Sequence, residues 1–200
     1  MLTILSGLAA IAALLLAGCP GPGTTAGPDD FVEAGGNPPQ APVPEPLSDP
    51  QPAPAFTLKT PGGGEVTLAD YEGKILILDF WAKSCTACIE EMPEFLRMYE
   101  DWDHDRVEYL AVSLDTSIAV VEKFREDHPD LDLPMALADN QMLQDYLGAR
   151  LAIPQARVIG PDGLIRYKFG PGPSAAQVGV AVEALLAEVD TRDEAAEAGG

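Results

Sequence analysis

The sequence predicts an α/β domain with a central mixed β-sheet flanked by helices, on three observations. The run Ile75-Leu76-Ile77-Leu78-Asp79-Phe80 is short, apolar and rich in branched residues, as a strand buried on both faces requires. A second apolar run, Val107 to Leu114, follows a stretch in which Met92, Phe95, Leu96 and Tyr99 recur at helical spacing. Late in the chain, Ala156 to Ile159 and Leu164 to Lys168 are joined through Pro161-Asp162-Gly163, which makes them an antiparallel pair.

The chain opens with an apolar stretch, Leu2 to Ala17. It is short for a membrane span and suits the core of a signal peptide. No Lys or Arg precedes it, and it ends Leu16-Ala17-Gly18-Cys19. The alternative is a buried N-terminal helix. Residues 1–18 are therefore expected to be a leader. Residues 19–54 are expected to be a disordered tether, because Pro20 to Pro54 holds 11 of the 19 prolines and few large apolar residues. At about 3 Å per residue, such a tether reaches on the order of 100 Å. Phe31-Val32 within it is either incidental or a short docking motif.

The domain proper is expected over 55–189. Ala55 to Leu58 and Glu65 to Leu68 form two short strands around Pro61-Gly62-Gly63-Gly64. The buried strand and the helix after Cys85 come next, with Pro93 as a kink inside that helix. Ser117 caps a helix from Ile118 to about Asp127. Leu133 to Ala138 and Asn140 to Leu147 add a strand and a helix. Ser174 caps a closing amphipathic helix that ends near Val189, and the polar residues 190–200 fray as a flexible tail.

A formal net charge of −20, with only 12 basic residues and none before Lys59, argues against nucleic acid as a partner. The chemistry is concentrated in Cys85-Thr86-Ala87-Cys88, two of the three cysteines. Cys85 stands where a strand hands over to a helix N-terminus, and Cys88 lies one turn on, on the same face. Free backbone N–H groups and the positive helix end stabilise a thiolate there and lower the pKa of the leading cysteine. A CxxC pair serves as half a zinc site, as a static disulfide or as a redox dithiol. Zinc needs two more ligands, and only His104 and His128 offer imidazole. The strand-to-helix position favours the dithiol, with Cys85 as nucleophile and Cys88 as the resolving thiol.

Asp79 interrupts an otherwise apolar strand. A buried carboxylate is costly, so its pKa is expected to rise, and such a group can take the proton of Cys88. The alternative is an Asp that faces solvent or caps a neighbouring segment. Glu91 either tunes the dithiol or is a solvated helix residue.

Asp79-Phe80-Trp81-Ala82-x-x-Cys85-x-x-Cys88 resembles the active-site segment of thioredoxin. The continuation Cys88-x-x-Glu91-x-Pro93, with Ile153-Pro154 late in the chain, is similar to the membrane-tethered TlpA/ResA-type thiol:disulfide oxidoreductases. The resemblance covers roughly Ala53 to Val189. It implies a thioredoxin-like fold with an N-terminal hairpin and a central strand-helix insertion. It implies catalytic roles for Cys85, Cys88, Asp79, Glu91 and Pro154, the last through a cis bond that leaves neighbouring backbone free to pair with a substrate strand. The alternative for Pro154 is an ordinary strand-entry proline. The buried Asp of thioredoxin has a lysine partner on the adjacent strand. Val107 to Leu114 has none, and Lys74 or Lys83 are the substitutes at hand. Ser84 stands where the family usually has Trp.

Leu16-Ala17-Gly18-Cys19 resembles a bacterial lipobox, which implies lipidation at Cys19 and an extracytoplasmic, membrane-anchored protein. Further implications are reduction of disulfide-bearing client proteins, apocytochromes c among them, and a membrane electron donor of DsbD/CcdA type, with no cofactor or metal. Two rivals stand beside this. One is a peroxiredoxin-like peroxidase, although Ala82 occupies the position where such enzymes usually carry Thr. The other is a non-catalytic surface lipoprotein that serves as a binding module.

Overall fold

The computed structural model describes residues 44–149 and 151–199. The expected leader and Cys19 lie outside the described residues, as does most of the tether. Eight strands form one sheet, β1 (Gln51–Pro52), β2 (Thr57–Lys59), β3 (Glu65–Thr67), β4 (Ile75–Trp81), β5 (Val107–Ser113), β6 (Met135–Leu137), β7 (Gln155–Ile159) and β8 (Leu164–Phe169). Their spatial order is β1-β8-β7-β4-β5-β6-β2-β3. The three strands β4, β5 and β6 run parallel, while β7 is antiparallel to both β4 and β8. The sheet is mixed, as expected.

Four helices complete the domain: α1 (Thr86–Asp101), α2 (Ile118–Asp127), α3 (Asn140–Leu147) and α4 (Ala175–Ala198). Two apolar clusters lie on opposite faces of the sheet. One gathers Ile75, Ile77 and Trp81 with Cys88, Met92 and Phe95 of α1 and Val178 and Val182 of α4. The other gathers Leu76, Leu78 and Phe80 with Met142 and Tyr146 of α3. The alternation along β4 follows from the two-residue repeat of a strand. Since both faces are covered, every residue of β4 is buried. Helices α1 and α4 approach closely at Gly179, where a Cβ would come within 2.7 Å of Met98 Sδ.

The hairpin β2–β3 and the inserted β6–α3 unit occur where the resemblance implies. The inserted strand also joins the hairpin to the sheet, through the pair Lys59↔Leu137. Three expectations need correction. The last part of the expected tether is laid on the sheet. Leu47 and Ala53 donate backbone N–H groups to Arg166 and Gly163, and Gln51–Pro52 pairs with β8. An uncovered edge strand offers such partners, and Leu47 and Ala53 pack on the second cluster. The closing helix does not stop at Val189 but continues to Ala198. Ala and Glu favour helix strongly, Arg192 pairs with Glu188 one turn back, and Arg106 reaches across to Asp190. Ser117 takes the N-cap position of α2 without a side-chain hydrogen bond, whereas Ser174 and Gln177 form a reciprocal capping box on α4.

Candidate active site

Cys85 is the N-cap of α1, in extended backbone conformation, and its Sγ accepts the Cys88 N–H at 3.2 Å. The two cysteines form a disulfide with Cα atoms 5.3 Å apart, the separation that one helical turn sets. They differ in access. Cys85 is half-buried, between exposed Ser84 and exposed Thr86 and Ala87, while Cys88 is 2% exposed and packs in the α1 cluster. The pair is thus open on the side of the leading sulfur and closed on the other.

The loop before Cys85 is anchored from β5. Asp115 Oδ2 accepts the Lys83 N–H at 2.9 Å and the Ser113 hydroxyl at 2.8 Å, and Leu114 N–H donates to Trp81 C=O at 2.7 Å. Trp81 is fully buried and packs on Phe124 of α2, with ring centroids 4.5 Å apart. Asp115 was not legible as a site residue, since an Asp after a strand reads as a turn former.

Asp79 is 3% exposed, on the face of β4 that α1 covers. Its partner is neither Lys74 nor Lys83. Lys74 is engaged by Glu108 and the His104 carbonyl. Instead, the Tyr109 hydroxyl of β5 donates to Asp79 Oδ2 at 2.8 Å. Tyr109 lies opposite Ile77, two residues from Asp79 and hence on the same face. The signal for this was a phenol hydroxyl within Val107 to Leu114, at a position that alternation places on the same face as Ala111 and Ser113. Burial pushes the Asp79 carboxyl up to about 7. The Tyr109 hydrogen bond opposes that rise, and the nearby Glu91 charge adds to it. Tyr109 is itself held well above the usual phenol range by burial and by Asp79.

Glu91 is not the solvated helix residue of the second expectation. It is half-buried, and Oε2 accepts the Ala175 N–H at 2.8 Å, in the first turn of α4. The carboxylate satisfies a free donor at a helix N-terminus and opposes its dipole. Ile153–Pro154 is a cis bond. Pro154 is buried, its C=O accepts the Gly172 N–H at 3.0 Å, and Ile153 ahead of it makes no backbone hydrogen bond among the described residues.

A thioredoxin-like fold with a CxxC disulfide at the first turn of its first helix defines a dithiol–disulfide domain. The chain belongs to the AhpC/TSA family, whose model matches residues 50–168. Among curated proteins it is similar to the thiol-disulfide oxidoreductase ResA of Oceanobacillus iheyensis, at 36% identity over 50% of this chain and 51% of the relative. The chain spans about half the length of such curated relatives. Among solved structures, StoA of Bacillus subtilis aligns with a TM-score of 0.53 at 26% identity, covering 66% of this chain and 98% of that one. A thiol:disulfide interchange protein of Chlorobium tepidum aligns with a TM-score of 0.60 at 23% identity, covering 70% and 99%, and supports the fold. These relatives place the chain with the TlpA/ResA-type proteins.

Proposed function

We propose that the protein is an extracytoplasmic thiol:disulfide oxidoreductase that reduces protein disulfides. It is anchored to a bacterial membrane by lipid at Cys19, with the Pro/Gly-rich stretch after it, up to the sheet contact at Leu47, as tether. The supporting observation is the unequal access of two bonded sulfurs at a helix N-terminus, Cys85 half-buried and Cys88 closed off. In the reduced protein the Cys85 thiolate attacks a client disulfide. One client sulfur leaves as thiolate and a mixed disulfide forms. Cys88 gives its proton to the ionised Asp79 carboxylate and attacks Cys85 Sγ. The intramolecular disulfide closes and the second client sulfur leaves. The client gains two electrons and the protein loses two. With a carboxyl near 7, Asp79 is suited both to accept that proton and to return it.

Glu91 holds α1 to α4 and keeps negative charge near Asp79, while the free Ile153 backbone beside Pro154 offers a pairing edge for the client. Two electrons from a membrane donor of DsbD/CcdA type restore the dithiol, and apocytochromes c before haem attachment are the clients, by analogy with the TlpA/ResA-type family.

The test is a redox titration of Cys85–Cys88 in the full chain, with insulin reduction and peroxide consumption measured in parallel. A potential near about −270 mV, with insulin reduced, supports the reading, whereas one near about −120 mV overturns it in favour of an oxidase. Peroxide consumption without disulfide reduction would favour the peroxidase. Cys88→Ser is expected to accumulate a mixed disulfide through Cys85, seen by non-reducing electrophoresis.

A further inference from the structure

Arg157 of β7 is 5% exposed and lies on the α3 side of the sheet, its guanidinium carbon 5.9 Å from the Phe80 ring centroid. Among the described residues it has no carboxylate partner. Its Nη donors go to neutral oxygens instead, while its buried Nε–H has no partner among the described residues. Nη1 donates to the Ala156 C=O at 2.8 Å and the Phe169 C=O at 3.1 Å. Nη2 donates to the Tyr146 C=O at 2.8 Å and to Gln155 Oε1 at 3.1 Å. A buried cation is costly, and four charge-assisted hydrogen bonds from one planar fork offset that cost.

The acceptors have a common location. Tyr146 lies in the last turn of α3 and Gln155 opens β7, so one guanidinium holds both the end of that helix and the start of that strand, which bracket the loop between them. Gln155 extends the grip inward, its Nε2 donating to the Ala152 C=O at 2.6 Å. The loop so held presents Leu151, which at 53% is the exposed large apolar side chain among the described residues. It also presents Ile153, whose N–H and C=O make no backbone hydrogen bond among the described residues.

We infer that Arg157 and Gln155 are positioning residues for client binding, holding this loop so that Ile153 pairs as a strand with an extended peptide beside the client's disulfide. Leu151 supplies an apolar contact to the same peptide. The inference rests on the oxidoreductase reading above. Recognition by strand addition uses backbone bonds for affinity, and those bonds are strong only if the receiving backbone is ordered before the peptide arrives.

The test compares the full chain with Arg157→Met, Arg157→Lys and Gln155→Leu variants on two substrates, an extended peptide with an internal disulfide and a small aromatic disulfide. In Arg157→Met and Gln155→Leu, KM for the peptide is expected to rise about tenfold, while kcat and the small-disulfide rate stay within about twofold. Arg157→Lys keeps the charge, lacks the fork and does not restore the peptide KM. An unchanged peptide KM in folded Gln155→Leu overturns the inference. So does an equal loss on both substrates, which lowered stability alone would give. A wild-type protein that reduces neither substrate sinks the oxidoreductase reading by itself. Backbone order parameters of residues 151–153 then decide the clamp: a drop in Gln155→Leu supports it and no change overturns it.

Discussion

Two buried charges sit on neighbouring strands and opposite faces, and they are treated differently. Asp79 looks toward α1 with one protein hydrogen bond, from Tyr109. Arg157 looks toward α3 with four. Asp79 is pushed toward its neutral form, to about 7, whereas Arg157, although lowered by burial, stays at about 10 and keeps its proton at neutral pH. The first is an under-compensated charge that can move a proton. The second is a compensated charge that fixes backbone. Burial shifts both groups toward their neutral forms, and what separates them is the starting point: a carboxyl raised from 3.8 reaches the neutral range, whereas a guanidinium lowered from 12.5 does not.

The largest test of that contrast is Arg157→Met. It leaves buried carbonyls without donors and is expected to lower the unfolding free energy by roughly 2–4 kcal/mol, read by urea denaturation. A neutral or stabilising result would break the contrast.

Asp79→Asn has the opposite sign. The folded-state pKa of Asp79 is raised, from 3.8 to about 7, so between those values the folded protein binds the extra proton. Stability therefore falls as pH rises through that window and levels off above it. Asn keeps an acceptor for Tyr109 and has no such dependence. The variant should match wild type near pH 4 and exceed it by on the order of 3 kcal/mol above pH 7, while resolution of the mixed disulfide slows. Parallel stability–pH curves for the two proteins would refute the assignment.

Glu91→Gln is the smallest effect. The Ala175 N–H keeps an acceptor, but the charge facing the helix dipole goes, at a cost of about 0.3–1 kcal/mol. Because Glu91 raises the Asp79 pKa, its loss moves the Asp79 titration downward, measurable by carbon NMR of the labelled carboxyl.

The difference between the two charges also explains what the sequence made legible. Asp79 stands out because Ile75 to Phe80 is otherwise apolar, and Cys85 and Cys88 because they follow that run. Tyr109 was harder to find, since the expected partner was a lysine and a phenol serves as well. Arg157 was invisible. In Gln155-Ala156-Arg157-Val158-Ile159 an alternation of polar and apolar residues reads as a strand with one wet face. The wet face is absent because α3 and residues 53–56 cover it, which is information carried by elements distant in sequence. The same long-range effect accounts for β1, whose Gln-Pro composition has no strand propensity and is recruited by the edge of β8. The last turns of α4 were legible in their Ala and Glu content, but their polarity was given more weight than their propensity.

The course of residues 47–67 has one more consequence. This stretch borders β8 at one margin of the sheet and, a few residues later, borders β6 at the other. Both margins therefore end in strands of two or three residues, too short to template a neighbouring molecule. Exposed Ala55 is part of the short link between the two guards, so one stretch of chain closes both margins of the sheet.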